Sequence, residues 1–496
     1  MIFVKKKLFL ILILAFILRL PFLNGSLWLD EAAQAIESSR PFAEQLMIRE
    51  DFQPPLMHYL LHFSIQIGKV FNLERSEWWL RLFPSLIPGI ITIWASFKIA
   101  QDFFDKKTAT LASIFLATSS FHVFFSQELR PYSLPAMWGL LSIYQMLLIF
   151  KEKKQKNLVL FTIFSILGLY SSYLYPFLLA SQFIYLLARK LELKKIITMA
   201  VTIIFSFLPW LPKFWEQLET GQELRLEMPG WDQVVSLPQI KSLVIVPFKF
   251  VFGLLDLKAN LFYAIASLVI FASLAWLSWK LIQKKKHQKE QLFFATILLL
   301  PLIAAWIVSF FVPVLRAKRV LFLLPIFSLL EAFLISTFSK KQKLISQILL
   351  FSILLINSIS LISYWKNPKL QREDWRSLVR EVESKFPANK SIVLFSFKEA
   401  FAPWRWYQTG EIDTLSSGEY YFKDLENPAE HFKFVSDYDY VLIPDYLRDL
   451  TDPEDQIIKV VEDLGFEGKG VIDYPNIGFT RIYIKNSANL ALESDF

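Results

Sequence analysis

Two adjacent carboxylates, Asp30 and Glu31, stand just after an apolar run over residues 8–23, with Trp28 two positions before them. A carboxylate at the edge of a low-dielectric layer suits work as a general base. A structural reading stands beside that one: Asp30 caps a helix over 31–39, as Asp often does. Residue types alone leave both open.

Three further stretches could do chemistry. In Asp51-Phe52-Gln53-Pro54-Pro55-Leu56 the prolines fix the backbone and start a helix. His58 and His62 then fall four apart on that helix, a metal-compatible spacing that equally suits an interfacial pair. In Ser126-Gln127-Glu128-Leu129-Arg130-Pro131-Tyr132 an acid and an Arg lie two apart between apolar runs, either as a phosphate clamp or as a self-paired turn. Arg316-Ala317-Lys318-Arg319 gathers three cations, which can hold a phosphate or anionic headgroups. Arg19 and Arg81 lie near the ends of the first two apolar runs and can join either arrangement, whereas Glu331 falls deep inside a run.

The elements that must position these residues are membrane helices. Of 496 residues, 54% are hydrophobic, with 48 Phe and 15 Trp, and the mean hydropathy is +0.39. A bilayer accommodates such a chain; an aqueous surface does not. No Cys is present, which excludes thiolate metal sites and Cys nucleophiles. About eleven spans are expected: 8–24, 78–100, 108–125, 131–150, 157–171, 173–188, 195–213, 260–281, 291–313, 318–338 and 344–364, with 243–257 as a re-entrant or interfacial helix. No small-residue cleavage site follows the first run, so it reads as a retained helix.

Loop charge orients the spans. The connections 105–107, 151–156, 189–195, 284–286 and 340–343 all carry lysine and fall on one side when the N-terminus is cytoplasmic. Segments 25–77, 126–130, 214–259 and 366–496 then face outward from a bacterial inner membrane. The net charge of +8 is thus a membrane signature and not a nucleic-acid footprint. Residues 366–496 hold 16 basic and 24 acidic residues against 37 and 21 in the remainder. This tail is expected to be a small extracytoplasmic α/β domain beside a membrane domain over 1–365. Its predicted helices are 371–386 and 453–464, and its predicted strands 391–395, 440–443 and 479–484. It lacks a glycine-rich phosphate loop.

Taken in order, Trp28-x-Asp30-Glu31-Ala32, Pro54-Pro55-Leu56 and Ser126-Gln127-Glu128-x-Arg130-x-Tyr132 resemble the bacterial protein O-mannosyltransferase and aminoarabinose-transferase group of the GT-C superfamily. The basic turn ending in Arg319 with Pro325 beyond it, and Asp374-Trp375-Arg376, resemble further segments of that group. Gln53 stands where many relatives carry His, and Val320 where they carry Tyr. The resemblance implies a polytopic GT-C fold and a glycosyltransferase that draws on a polyprenyl-phosphate sugar, with a lipid, glycan or protein acceptor. It implies that Asp30 is the base, with Glu31 beside it. Glu128, Arg130, Tyr132, Arg316, Arg319 and Arg81 are the expected substrate-binding residues. No metal ligand is assigned, and a divalent metal requirement stays open. The rival classes are an oligosaccharide ligase or polymerase and a secondary transporter. The latter predicts paired half-repeats that the sequence does not show.

Overall fold

A computed structural model describes residues 2–47, 51–227, 239–255, 261–312, 314–338 and 340–486. The chain divides into two compact units. The first comprises Met1–Asn24, Arg40–Gln217 and Ser236–Leu370, and the second Gly25–Ser39, Leu218–Val235 and Gln371–Phe496. The stretch that carries Asp30 therefore belongs with the tail.

The first unit is helical. Among the described residues, seven helices are long and apolar enough to cross a membrane: Glu77–Phe103, Ser133–Glu152, Leu193–Glu223, Leu261–Ile282, Lys285–Val308, Leu321–Phe338 and Lys343–Lys366. Two shorter apolar helices, Gln155–Leu169 and Tyr175–Ala188, occupy the expected spans near 157–188. At about 1.5 Å per residue neither alone reaches the roughly 30 Å of a hydrocarbon core. The chain is a multi-pass membrane protein.

Local chemistry sets the helix ends and irregularities. The first helix, Ile2–Ile17, stops well short of the expected residue 24. Pro21 has no N–H to continue it, and the Gln127 side-chain amide donates instead to the freed carbonyls of Arg19 and Pro21. Asp105 caps Lys106–Thr118, accepting from the Lys107 and Thr108 amides at 2.8 and 3.0 Å. π-Helical turns at Leu82–Leu86 and Ala295–Leu299 each lead into a helix with a proline in its first turn, Pro88 or Pro301. A proline cannot donate into the α ladder, and a wider turn takes up the missing bond. The region expected as re-entrant forms the helix Gln239–Phe252 with Pro247 inside it; the stretches 228–238 and 256–260 around it lie outside the described residues.

The second unit is built on a five-stranded sheet of β1 (Ser391–Phe395), β2 (Asp413–Ser416), β3 (Tyr440–Pro444), β4 (Phe466–Tyr474) and β5 (Gly478–Lys485). Its order is β2-β1-β3-β5-β4, with β1 parallel to β2 and β3, and β5 antiparallel to β3 and β4. Every residue of β1 and β3 is buried, as the centre of a sheet covered on both faces requires. One face packs Val393, Phe395 and Leu442 against Trp375, Leu378, Val379 and Val382 of the helix Trp375–Lys385. The other packs Ile392, Leu394, Val441 and Ile443 against Ile457 and Val461 of the helix Gln456–Asp463.

Candidate active site

Within the second unit, Asp30 is the second residue of the helix Leu29–Ser39, not its cap. Asp30 and Glu31 both occupy the first turn, where negative charge complements the unpaired amides and positive end of the helix dipole. Three hydrogen bonds fix the extended chain before the helix. The Leu27 N–H donates to Tyr407 Oη at 2.7 Å, the Arg376 N–H to Ser26 Oγ at 3.1 Å, and the Leu29 N–H to Glu373 Oε2 at 3.4 Å. Glu31 is fully buried and its carboxylate lies 3.4 Å from Arg372 Nε, itself almost wholly buried. A buried carboxylate needs such a cationic partner to offset its lost hydration. Asp30 differs. It is half-buried, and no hydrogen bond or ion pair ties its carboxylate to another described residue.

Glu373 stands next to this turn. Its carboxylate accepts from Trp375 Nε1 at 2.7 Å and from Tyr446 Oη at 2.8 Å. Burial pushes its carboxyl up to about 7, helped by the charge of Asp30 and opposed by the donated hydrogen bonds. Burial, followed by the charge of Glu373, drives the Tyr446 hydroxyl upward, so it remains a donor at neutral pH. The sequence signals Asp374-Trp375-Arg376 but not Glu373 or Arg372, because their partners on the Asp30 turn, Leu29 and Glu31, lie more than 340 positions away.

The first unit holds most of the other expected site residues. Arg130 reaches outside its own turn: its Nη2 lies 3.4 Å from Asp51 Oδ1. His58 Nε2 approaches Asp51 Oδ2 at 3.0 Å, and the Gln53 amide donates to the same carboxylate. Burial alone would raise the Asp51 carboxyl, but the Arg130 charge and the bonds from His58 and Gln53 outweigh it and hold it at about 2. Pro54 and Pro55 lead into the helix Leu56–Phe71, which presents His58 to Asp51 one turn in. His62 packs instead against Phe42 and Phe63.

Glu128 is buried, and its main-chain carbonyl accepts from Ser85 Oγ at 2.5 Å. The approach is close because Gly89 lacks a side chain; a Cβ there would collide with Ser126. Tyr132 stacks edge-on against Phe125 with centroids 5.0 Å apart, and Lys318 Nζ lies 5.6 Å from the Tyr132 ring centroid. Arg316 and Arg319 are half-buried on the same turn as Lys318. Burial and the neighbouring Arg319 charge lower the Arg316 guanidinium from its usual range. The structure thus gathers Tyr132, Arg316, Lys318 and Arg319, and joins Arg130 to Asp51. Arg81 is fully buried and donates to the Leu23 carbonyl at 2.8 Å. Among the described residues, no group of three or more His, Asp or Glu side chains is set to hold a metal ion.

Residues 52–213 match the family model described as dolichyl-phosphate-mannose-protein mannosyltransferase. No curated protein matches the chain in sequence. Solved structures resemble it along its length. The apo form of ArnT from Cupriavidus metallidurans superposes with a TM-score of 0.58 at 12% identity, over 97% of both chains. The same protein bound to undecaprenyl phosphate gives 0.52 at 11% identity, over 100% of this chain and 99% of that one. The archaeal oligosaccharyltransferase AglB from Archaeoglobus fulgidus, in complex with an inhibitory peptide and a dolichol-phosphate, gives 0.51 at 12% identity, over 99% and 75%. At such identities these likenesses show the fold alone. The chain thus shares the fold of ArnT and AglB, and its residues 52–213 match the mannosyltransferase family model.

Proposed function

We propose that the protein transfers a glycosyl group from a polyprenyl-phosphate-linked sugar to an acceptor hydroxyl. The observation that carries this reading is the likeness over nearly the whole of both chains to ArnT, which has been solved with undecaprenyl phosphate bound. Asp30 is the general base. It is the acid in the second unit's helix start that is half-buried and untied, whereas Glu31 is consumed by Arg372. The acceptor oxygen attacks the anomeric carbon, its proton passes to Asp30, and the bond from that carbon to the lipid phosphate breaks with the electron pair leaving on phosphate. Phosphate leaves readily at neutral pH, so the demand falls on cations that offset its charge. Arg130, Arg316 and Arg319 take that part, with Tyr132, Glu128 and Arg81 as further donor-binding residues. The chemistry runs on the membrane face opposite the lysine-rich loops, which positive-inside bias puts in the cytoplasm of a bacterial cell.

The test supplies labelled undecaprenyl-phosphate sugars to purified protein in lipid with extracted envelope acceptors, and compares the parent with Asp30→Asn. Glycosidic product from the parent and its loss in the variant support the reading. Equal product from both removes Asp30 from the role. Uptake of label into sealed vesicles without a new glycosidic bond would replace transfer by transport.

A further inference from the structure

Asp30 makes no hydrogen bond or ion pair of its own to a described residue, so its position is inherited from the backbone beside it. That backbone, residues 25–28, lies outside the helix, and its Trp28 carbonyl accepts the Ala32 N–H at 2.9 Å. Of the three bonds that fix it to the tail, the one nearest Asp30 runs from the adjacent Leu29 amide to Glu373. Leu29 opens the helix, so its N–H has no partner within the helix and needs an outside acceptor. Glu373 is in turn held on both oxygens: Trp375 donates to Oε2 and Tyr446 to Oε1. The Trp375 side chain is fully buried in the sheet's core. A rigid path therefore runs from the core through Glu373 to the peptide that carries Asp30.

We infer that Glu373 is a positioning residue for the transfer reaction, seating the Asp30 turn through the Leu29 amide. This rests on Asp30 being the base. The groups that face Glu373 are Asp30 from the helix Leu29–Ser39, Tyr446 from the segment after β3, and Trp375 on its own segment; the neighbouring Arg372 is committed to Glu31. No cation offsets the Glu373 charge among these groups. Its proton therefore comes and goes near neutrality, where the carboxyl sits at about 7. The ionised form is the stronger acceptor and holds the Leu29 amide more firmly. Gln at this position keeps one accepting oxygen for Leu29 and Trp375, and Tyr446 can rotate to accept from its amide.

The test uses the full chain in lipid with undecaprenyl-phosphate-linked [3H]hexoses and envelope acceptors, following kcat and donor KM between pH 6 and 8. Glu373→Ala, which removes the acceptor, and Glu373→Asp, which withdraws it by one methylene, are expected to lower kcat about 10- to 100-fold, the scale of a misplacement near 1 Å. Donor KM should stay within about 2-fold of the parent. Glu373→Gln should keep kcat within about 3-fold at pH 7 and lose the parent's rise in kcat through neutrality. Amide exchange at Leu29 should quicken in Glu373→Ala and Glu373→Asp but not in Glu373→Gln. Parent-like kcat in Glu373→Asp with unchanged Leu29 exchange overturns the inference, as does a Glu373→Gln loss equal to that of Glu373→Ala. Should Glu373→Ala fail to fold, Glu373→Asp and Glu373→Gln decide it alone. If Asp30→Asn keeps activity, the base assignment fails; if Asp30→Asn is dead while the Glu373 variants match the parent, this inference alone fails.

Discussion

Asp51 in the first unit and Glu373 in the second are both carboxylates taken largely out of water, and the two units treat them in opposite ways. Asp51 is met by a guanidinium and an imidazole, and its carboxyl is held at about 2. Glu373 is met by an indole, a phenol and a backbone amide, all neutral donors, with Asp30 adding like charge, and its carboxyl rises to about 7. Full charges overcome desolvation where neutral dipoles only soften it. The first unit therefore carries a fixed ion pair beside its cationic turn, suited to holding an anion in register. The second carries a group whose proton is exchangeable at the pH of the reaction.

Experiments that break this contrast differ in size. The largest effect is expected from Asp30→Asn, which should lower transfer by about 100- to 10,000-fold in a radiolabel assay, the usual worth of a general base. Next is Arg372→Met alone, which takes a cationic partner from the buried Glu31 carboxylate. A loss of about 3–5 kcal/mol in the unfolding of the second unit is expected, with the double variant Glu31→Leu/Arg372→Met recovering most of it. Denaturant titration followed by tail tryptophan fluorescence would measure both.

Arg130→Gln tests the other side of the contrast. The Asp51 carboxyl lies below its ordinary value of 3.8, so it adds stability that is present above that value and lost as pH falls towards 2. Without Arg130 that acid-labile contribution, about 1–2 kcal/mol, should shrink to what His58 and Gln53 sustain, and carbon NMR of Asp51 should show its titration moving upward. The smallest effect concerns Glu373→Gln. Because the Glu373 carboxyl is raised, the folded chain binds more protons than the unfolded one between about pH 4.5 and 7, and stability falls as pH rises through that window. Glu373→Gln should remove that fall and leave the variant about 1–2 kcal/mol more stable than the parent at pH 8 but not at pH 4, as read by melting at both.

What could be read from the residues follows from how local each feature is. Apolar runs of about 20 residues announce spans wherever they occur, and β1 and β3 announce themselves as short unbroken runs of Ile, Val and Leu. β2 does not, being a four-residue edge strand with an Asp and a Ser. β4 does not either, since Glu467, Gly468, Lys469 and Gly470 break its alternation and mark an irregular outer edge. In the site, the order of Asp30, Pro54-Pro55 and Arg130 is a pattern along the chain. The partners of those residues are not. Arg130 finds Asp51 across 79 positions, and the Asp30 turn finds Glu373 across 344. Topology decides such meetings, and no local preference encodes them.

The association of residues 25–39 with the tail also bears on when the enzyme becomes an enzyme. The helix that carries Asp30 is made well before residues 372–407, yet Ser26, Leu27, Leu29 and Glu31 all bond to that later stretch. At about 5–20 residues per second, tens of seconds separate the synthesis of the two. A nascent chain inserted in the membrane but lacking residues 372–407 would hold a helix start without the bonds that these residues give it. Seating of the turn that carries Asp30 thus waits on the synthesis of a stretch more than 340 positions later.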